Sequence, residues 1–286
     1  CPGRPVTDPR RAGLAAVPPV PACPPCAQPL ERARAGVGCE AGHRFDIARG
    51  GHLTLLGRTS RTDTGDTADM VAARQQFLDA GHFAPMTAAI VAAAGGGPVL
   101  DLGAGTGHHL RAVVEAGTPD TIGVAVDTST YAARRAARVH PRVGAVVADA
   151  WSRLPVRDGS IGTVLNVFAP RDPDEIARIL RPGGRLVVLT PDPRHQAELR
   201  AHIGLLAVDA DKAARLQDTL GRVMRPAGTT PVRHRMRLGR QDVDRLIRMG
   251  PSAYHLPEPA RRDAVARLPE VTEVTMAVTV SVFTRP

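Results

Sequence analysis

The sequence predicts an α/β protein in which a mostly parallel sheet, with helices on both faces, follows a small metal-binding module. Between residues 98 and 190, short apolar strands alternate with helical segments over short connections, a pattern typical of a doubly wound sheet. Ahead of this region, three of the four cysteines cluster with a histidine at a spacing that suits a metal ion. A chain of 286 residues is long enough for one large domain and one small module.

The composition favours an acidic partner. There are 37 basic and 28 acidic residues, so the net charge is +9 and the pI is about 10.7, values typical of proteins that bind nucleic acid. All the basic residues except Lys212 are Arg, a bias that GC-rich coding also produces, so both explanations stay open.

No apolar run reaches the roughly 18 residues of a membrane span. A thiolate metal site is typical of a reducing compartment, so we predict a cytoplasmic protein without membrane contact. The first residue is Cys1, which we interpret as a truncated start.

The N-terminal part is predicted to contain a tail and a zinc ribbon. Residues 1–22 are rich in Pro, Arg and Ala without periodicity, so we expect a disordered tail. The metal-binding module is predicted over residues 23–57, with a short ribbon strand in 51–56. Its candidate ligands, spaced C-x2-C-x12-C-x3-H, are Cys23, Cys26, Cys39 and His43. Four protein ligands leave no position for a reactive water, which predicts a structural Zn²⁺ that supplies folding energy.

Residues 58–96 are predicted to form a linker and two helices. The polar run 58–66 is predicted to be a mobile loop. Apolar residues at helical spacing predict a helix over 67–78, which a Gly- and Pro-containing segment ends, and a second helix over 86–94.

From residue 97 to 286 the sequence predicts the large domain. Its predicted strands are 98–102, 121–126, 143–147, 161–168 and 185–189, with helices at 109–116, 131–139 and 174–180. Residues 196–268 are predicted to be helical and basic. The alternation of Val and Thr in 271–284 predicts a terminal pair of antiparallel strands.

A glycine-rich turn, Asp101-Leu-Gly-Ala-Gly-Thr-Gly107, follows the first predicted strand and opens a helix. Its glycines allow the backbone to approach a ligand closely. Asp101 disfavours a pyrophosphate and favours a cationic or amino-acid-like ligand. Asp127 ends the next strand, where a ribose diol binds in such folds, and Asp149 ends the third strand, where it can accept a hydrogen bond from an adenine amino group. Each acid alone is also explained as a helix cap.

These acids and glycines, together with Leu180-Arg-Pro-Gly-Gly184, resemble the class I S-adenosylmethionine-dependent methyltransferases. That resemblance implies a Rossmann-like, mostly parallel sheet with an antiparallel C-terminal strand, a methyltransferase domain over 97–286, and S-adenosyl-L-methionine as cofactor.

Five sequence features, taken in their order along the chain, are similar to those of one family within these methyltransferases. They are the metal cluster, Phe77-Leu-Asp-Ala-Gly-His-Phe83, the glycine-rich turn, Val167-Phe-Ala-Pro170 and Thr190-Pro-Asp-Pro-Arg-His195. Over residues 23–286 the chain is similar to the 23S rRNA (guanine-N1)-methyltransferases, which have a Gram-negative housekeeping branch and a Gram-positive branch linked to tylosin and mycinamicin resistance. The resemblance implies methylation of guanine N1 in a hairpin loop of 23S rRNA near the macrolide site, and a homodimer. The GC-rich composition favours the resistance branch.

The resemblance also implies four cofactor contacts: Phe83, Gly105, Thr106 and His195. Some relatives carry Tyr at the position of Phe83, so a hydroxyl contact is missing here. The predicted cofactor site joins these four to Asp101, Gly103, Asp127 and Asp149.

The sequence does not identify the catalytic base. Guanine N1 carries a proton at neutral pH, so a group must help that proton leave or stabilise the charge on O6. Three candidates follow the strands at their carboxyl ends. Asn166 is placed to bond the edge of the base, Phe168 to stack on a flipped base, and Arg194 to stabilise charge on O6. Core packing is the alternative for Phe168.

Two other functions remain open at this point. A small-molecule methyltransferase of antibiotic biosynthesis is disfavoured by the pI and the metal module. A zinc-containing RNA-binding protein without catalysis is disfavoured by the intact glycine-rich turn. The arginines of the module, which are predicted to meet RNA phosphates or to form a solvated basic face, are Arg32, Arg34, Arg44 and Arg49.

Overall fold

A computed structural model of the chain describes residues 20–33, 36–56, 65–203 and 212–286. The metal module contains a three-stranded antiparallel sheet, formed by β1 (Glu31–Arg32), β2 (Gly36–Gly38) and β3 (Arg44–Asp46). The larger sheet has eight strands: β4 (Leu53–Thr54), β5 (Val99–Leu102), β6 (Gly123–Asp127), β7 (Val143–Val147), β8 (Ile161–Val167), β9 (Leu180–Pro191), β10 (Arg225–Gly239) and β11 (Val271–Thr284).

The order of the large sheet is β10-β11-β9-β8-β5-β6-β7-β4. Strands β4 to β9 pair in parallel, and β11 lies antiparallel to both of its neighbours. This confirms the predicted mostly parallel sheet with an antiparallel C-terminal strand. The chain order reverses between β5 and β8, and ligands bind at such a switch point in open α/β sheets.

Helices cover both faces of this sheet. They are α1 (Ala68–Asp79), α2 (Ala84–Ala93), α3 (His108–Ala116), α4 (Thr130–Ala136), α5 (Pro173–Ile179), α6 (Ala197–Ile203), α7 (Lys212–Leu220), α8 (Arg240–Arg248) and α9 (Glu258–Ala266), with a short 3₁₀ turn at Pro251–Tyr254. The sequence supplies their starts: the hydroxyls of Thr67 and Ser129 accept from the backbone N–H groups of Met70 and Ala132, as N-caps do. None of the helices in the described ranges is long and apolar enough to cross a membrane.

Two apolar layers hold the sheet between the helices. One contains Phe77 of α1, Met86 of α2 and Leu110 of α3, all nearly or fully buried. The other contains Ile176 of α5 and reaches into the metal module. Helices α1 and α2, predicted as part of a linker region, are therefore packed into the core. Truncating a buried Phe such as Phe77 to Ala typically lowers the free energy of unfolding by about 3–5 kcal/mol, so the packing of α1 contributes to the stability of the whole domain.

The prediction of a helical segment over 196–268 is wrong for its centre, because β10 occupies residues 225–239. Arg233, Arg235 and Arg237 are exposed, whereas Met236 and Leu238 between and after them are buried. This period of two is the pattern of a strand with one face on the core. β10 pairs with β11 along its length, so residues 271–284 form one long strand rather than the predicted pair.

The metal module is joined to the large domain at both of its ends. The predicted ribbon strand in 51–56 contains β4. Leu53 forms an antiparallel bridge with Ile47 of the module and also pairs in parallel with Val146 of β7. On the other side, Pro21 forms an antiparallel bridge with Val156. Residues 20–22 of the predicted tail are thus part of the fold, while 1–19, and 57–64 of the predicted loop region, lie outside the described residues.

Candidate metal centre and cofactor cleft

The four predicted metal ligands converge in the N-terminal module. Two turns bring them together: the backbone N–H of Ala27 donates to the carbonyl of Cys23 at 2.7 Å, and that of Cys39 donates to the carbonyl of His43 at 3.1 Å. The ligand atoms of the cluster all lie within 4.8 Å of one another. Cys26 Sγ is 3.7 Å from Cys39 Sγ and 3.6 Å from His43 Nδ1, and Cys39 Sγ is 3.3 Å from the same nitrogen.

This geometry fits a zinc ion. Tetrahedral bonds of about 2.3 Å to sulfur and about 2.0 Å to nitrogen place ligand atoms roughly 3.5–3.8 Å apart. Burial raises the pKa of Cys23 to about 12, an energetic cost that a bound cation would offset because the thiolate is the metal-binding form. Zinc is therefore structural here: all four positions are taken by protein atoms, and the cluster lies in the module rather than at the sheet edge.

A cleft of about 1160 Å³ lies at the carboxyl edge of the large sheet, where the cofactor site is predicted. Of the predicted residues, those that line it are Phe83, Asp101, Gly103, Gly105, Asp127, Asp149, Phe168 and His195. Thr106 and Arg194 are absent from its lining; the side chain of Thr106, within the glycine-rich turn, is buried.

The glycine-rich turn needs glycine at two positions. Gly103 has φ +74°, and a Cβ added there would lie 2.5 Å from the Cβ of Ala169. Gly105 has φ +54°, and its added Cβ would lie 3.0 Å from Arg74 Nη1. The backbone N–H of Gly105 donates to Asp127 Oδ2 at 2.8 Å, which joins the turn to the end of β6. The turn thus keeps its backbone close to the floor of the cleft.

Asp101 is the buried acid of this cleft. It is 2% exposed, and its Oδ1 has no hydrogen-bond partner within the described ranges. Burial, followed by repulsion from Asp127, raises the pKa of Asp101 to about 7. An unpaired buried carboxyl group requires a donor or a cation. S-adenosyl-L-methionine carries both, in its ammonium and sulfonium groups, so the residues present fit this cofactor.

The other two acids are oriented by backbone N–H groups. Asp127 accepts from the backbone of Ser129 and of Gly105, each at 2.8 Å. Asp149 accepts from the backbone N–H of Trp151 at 2.9 Å. Each carboxylate therefore also caps its own turn, as the alternative interpretation predicted. A carboxylate has about four acceptor sites, so such capping is compatible with a further hydrogen bond from a ligand.

Both ring nitrogens of His195 lie near hydrogen-bonding groups of the protein. Its Nδ1 accepts from the backbone N–H of Ala277 at 3.2 Å, and its Nε2 lies 3.0 Å from Nε2 of the Gln196 amide. Burial, and then the charge of Arg200, lowers the pKa of His195 to about 4. The ring lies 6.3 Å from that of Phe83 and 5.9 Å from that of Phe168, measured between centroids. His195 is therefore neutral at pH 7, and both of its ring nitrogens have a neighbour within the protein.

Phe168 follows β8 in a left-handed conformation. Its φ is +55°, and its side chain is 43% exposed in the cleft wall. A bulky residue in this region costs on the order of 1–3 kcal/mol and persists where the surroundings enforce it, often at functional sites. Because the ring is exposed, core packing is the wrong explanation for Phe168.

The other two catalytic candidates do not reach the cleft. Asn166 is fully buried: its Nδ2 donates to the carbonyl of Pro170 at 3.0 Å, and its Oδ1 accepts from Arg171 at 2.7 Å. It therefore positions the turn that carries Phe168 instead of bonding the base. The side chain of Arg194 is 63% exposed and lies 3.4 Å from Asp192.

Among the cleft residues that the sequence did not indicate are Arg74, Trp151 and Tyr254. Arg74 of α1 donates to the carboxylate of Asp66 and to the carbonyl of Met249, the latter at 2.7 Å. Trp151 and Tyr254 line the cleft with exposed rings. The sequence did contain a signal for Arg74, because this charged residue shares a helical face with the buried Met70, Phe77 and Leu78. It also contained one for Trp151, which follows the predicted cofactor residue Asp149 by two positions.

The basic residues of the metal module lie on its surface. Arg32, Arg44 and Arg49 are exposed, and Arg34 lies outside the described residues.

Comparison with known proteins finds the same two parts. A family model described as "RlmA, N-terminal" matches residues 22–59, and one described as "Methyltransferase domain" matches 99–184. The chain is 48% identical to a putative 23S rRNA (guanine-N(1)-)-methyltransferase of Micromonospora griseorubida, over 90% of this chain and 94% of that protein. It is 46% identical to the 23S rRNA (guanine(748)-N(1))-methyltransferase of Streptomyces fradiae, over 91% and 95%. A putative Bacillus subtilis enzyme of the same description is 28% identical over 91% and 95%.

Proposed function

Because this chain belongs to the family of 23S rRNA (guanine-N1)-methyltransferases, we propose that it transfers the methyl group of S-adenosyl-L-methionine to N1 of a guanine in a hairpin loop of 23S rRNA. The observation that carries this proposal is the meeting, in one cleft, of the unpaired Asp101 carboxyl group with the exposed ring of Phe168. The first suits a cationic methyl donor and the second a flat, uncharged acceptor.

On the cofactor side, the chain's residues bind and orient. The bound cofactor supplies a methyl group already activated on a sulfonium centre. Asp101 holds the cationic end by charge, while Asp127 and Asp149, each oriented by backbone N–H groups, accept from the ribose and the adenine. Phe83 packs beside His195 on the opposite wall. The residues thus provide position, which is the main requirement when the transferred group is already activated.

On the RNA side, Phe168 stacks on the target guanine after it leaves the loop. The neighbouring His195 ring stays neutral, because burial and then the charge of Arg200 lower its pKa to about 4, and it lies 5.9 Å from the Phe168 ring, so it adds no charge beside the stacked base. Asn166 keeps the Phe168 turn in place through the carbonyl of Pro170.

The metal module supports recognition of the RNA outside the cleft. Its exposed Arg32, Arg44 and Arg49 are placed for phosphate contacts, and β4, which follows the module in the chain, pairs with β7 of the large sheet. We further propose a cytoplasmic enzyme that acts as a homodimer and contributes to macrolide resistance. The resemblance to the resistance branch supports these points, and light scattering of the purified protein tests the dimer.

The decisive experiment is transfer of labelled methyl from S-adenosyl-L-methionine to protein-free 23S rRNA, with the modified base mapped by primer extension. We expect one blocked guanine at the position equivalent to 748, the guanine named for the Streptomyces fradiae relative. Phe168→Ala should lose transfer while calorimetry shows unchanged cofactor binding. Labelling of a small-molecule acceptor but not of RNA would refute the proposal.

A further inference from the structure

The aromatic residues of this chain are few, and their placement is uneven. The sequence has five Phe, two Tyr and one Trp. Three of these rings line the cleft and remain exposed: Trp151 at 59%, Tyr254 at 58% and Phe168 at 43%. Rings left in water forgo the burial that makes aromatic residues favourable, so their concentration around one opening indicates a ligand that covers them.

Trp151 and Tyr254, the two outer rings of the cleft, lie on turns whose neighbouring residues form hydrogen bonds. The turn that carries Trp151 is held at Asp149, which accepts from the Trp151 backbone at 2.9 Å and from the Ser152 hydroxyl at 3.1 Å. The 3₁₀ turn that ends at Tyr254 follows Met249, whose carbonyl accepts from Arg74 at 2.7 Å. Rings presented by ordered turns can bind a flat partner with little further loss of conformational freedom.

The cleft around these rings is larger than one small ligand needs, and arginines line it together with the aspartates of the predicted cofactor site. Its volume of about 1160 Å³ lies above the roughly 300–1,000 Å³ of typical small-molecule pockets. Arg171, Arg200 and Arg215 contribute to its walls. Positive charge interleaved with exposed rings is the arrangement by which proteins bind single-stranded nucleic acid, with phosphates on the cations and bases on the rings.

We propose that Trp151 and Tyr254 form a stacking platform for unpaired bases that flank the target guanine, so that the cleft accepts an opened RNA loop and rejects a duplex. This inference rests on the proposed function, which already names a hairpin loop, and adds the residues that hold the bases beside the target guanine. Bases in a duplex are stacked on each other and cannot cover the rings, whereas splayed loop bases can. Phe168 holds the target base, and the two outer rings hold its neighbours.

Trp151 provides a direct test that needs no catalysis, because it is the only Trp of the chain. Titration with a single-stranded hairpin-loop oligonucleotide should quench its fluorescence, since a stacked base quenches an indole ring. A fully paired duplex of the same length and S-adenosylhomocysteine alone should each leave most of the fluorescence. Equal quenching by the duplex, or no quenching by a bound loop, would overturn the platform.

Kinetics of the full chain give the second test. Trp151→Ala and Tyr254→Ala should each raise KM for the hairpin RNA about 5- to 100-fold, the usual effect of removing one base-stacking ring. Trp151→Phe and Tyr254→Phe should restore most of the loss. Tyr131→Ala is the matched control, because Tyr131 is 52% exposed but does not line the cleft.

Cofactor binding separates the platform from its rival explanation. Calorimetry with S-adenosylhomocysteine should give the wild-type Kd for both Ala variants. If this affinity falls as far as RNA affinity does, the two rings cover the cofactor and the platform is wrong. If the wild type binds loop RNA with quenching but methylates no guanine, the proposed function fails while the platform stands.

Discussion

Acid should weaken cofactor binding through one group, Asp101. Its carboxyl group is 2% exposed, and burial and the nearby Asp127 raise its pKa to about 7. A cationic ligand binds the ionised form, so binding lowers this pKa and releases a proton. His109 and His195 do not compete in this pH range, because burial lowers their pKa values to about 3 and about 4.

The size of the effect follows from the ionised fraction. With a pKa of about 7, roughly one-tenth of the Asp101 carboxyl is ionised at pH 6 and about nine-tenths at pH 8. The apparent Kd for S-adenosyl-L-methionine should therefore rise about tenfold from pH 8 to pH 6.

Stability of the ligand-free protein should change in the opposite sense. The folded state binds the Asp101 proton more tightly than the unfolded state does, because burial raises its pKa from 3.8 to about 7. The stabilising contribution is full below the unfolded pKa and is lost as the pH rises through the folded one. Asp101→Asn should consequently raise the unfolding temperature of the ligand-free protein at pH 8.

Calorimetry between pH 6 and pH 8, repeated in two buffers of different ionisation enthalpy, measures both affinity and proton release. At pH 7 the wild type should release about half a proton on binding. Asp101→Asn should bind weakly with no pH dependence in this range. An affinity that does not change with pH in the wild type, or an equal change in the variant, would refute the role of Asp101.

Three further outcomes are expected. We expect the Arg74 guanidinium, which lies beside Gly105, to bind the carboxylate of the cofactor. Arg74→Gln should therefore weaken binding of S-adenosylhomocysteine about tenfold or more. It should leave the binding of 5′-methylthioadenosine unchanged, because that ligand lacks the carboxylate. Arg245→Gln, which removes another contact between α8 and α1, is the control, and equal losses for both ligands would contradict carboxylate binding. Gly103→Ala should lower cofactor affinity and the unfolding temperature in calorimetry, since its added methyl group would lie 2.5 Å from a neighbouring side chain; wild-type values would contradict the close approach. Cys39→Ser should lower bound zinc, measured by mass spectrometry, together with the unfolding temperature, and an unchanged temperature after zinc loss would show that the metal does not stabilise the fold.

Features encoded over short stretches were predictable from the sequence. The metal ligands sit on two local turns, and the glycine-rich turn with Asp101 follows directly from one strand. β10 was not predicted, because its arginines resembled a basic helical surface. The alternation of Arg235, Met236, Arg237 and Leu238 carried the correct signal, since only a strand places such residues on opposite faces.

Features that depend on distant partners were not predictable. Asn166 was expected in the cleft because it ends a strand, but its amide is satisfied by Pro170 and Arg171 once the following turn folds back. The exposure of Trp151 and Tyr254 depends on what surrounds them in three dimensions. Burial and hydrogen-bond partners, unlike motif and period, arise only when separate segments meet.

The pairing of β4 with β7 has a consequence for synthesis of the chain on the ribosome. Leu53 and Leu55 are almost completely buried, yet the strand that shelters them ends about 90 residues later. At a translation rate of about 5–20 residues per second, β7 is completed roughly 5–20 s after β4 has been synthesised. During that interval β7 is not yet available to cover Leu53 and Leu55. We expect the module to be stabilised in this period by the metal that Cys23, Cys26, Cys39 and His43 bind. Zinc supply during translation should therefore determine the yield of folded enzyme more strongly than zinc added after release.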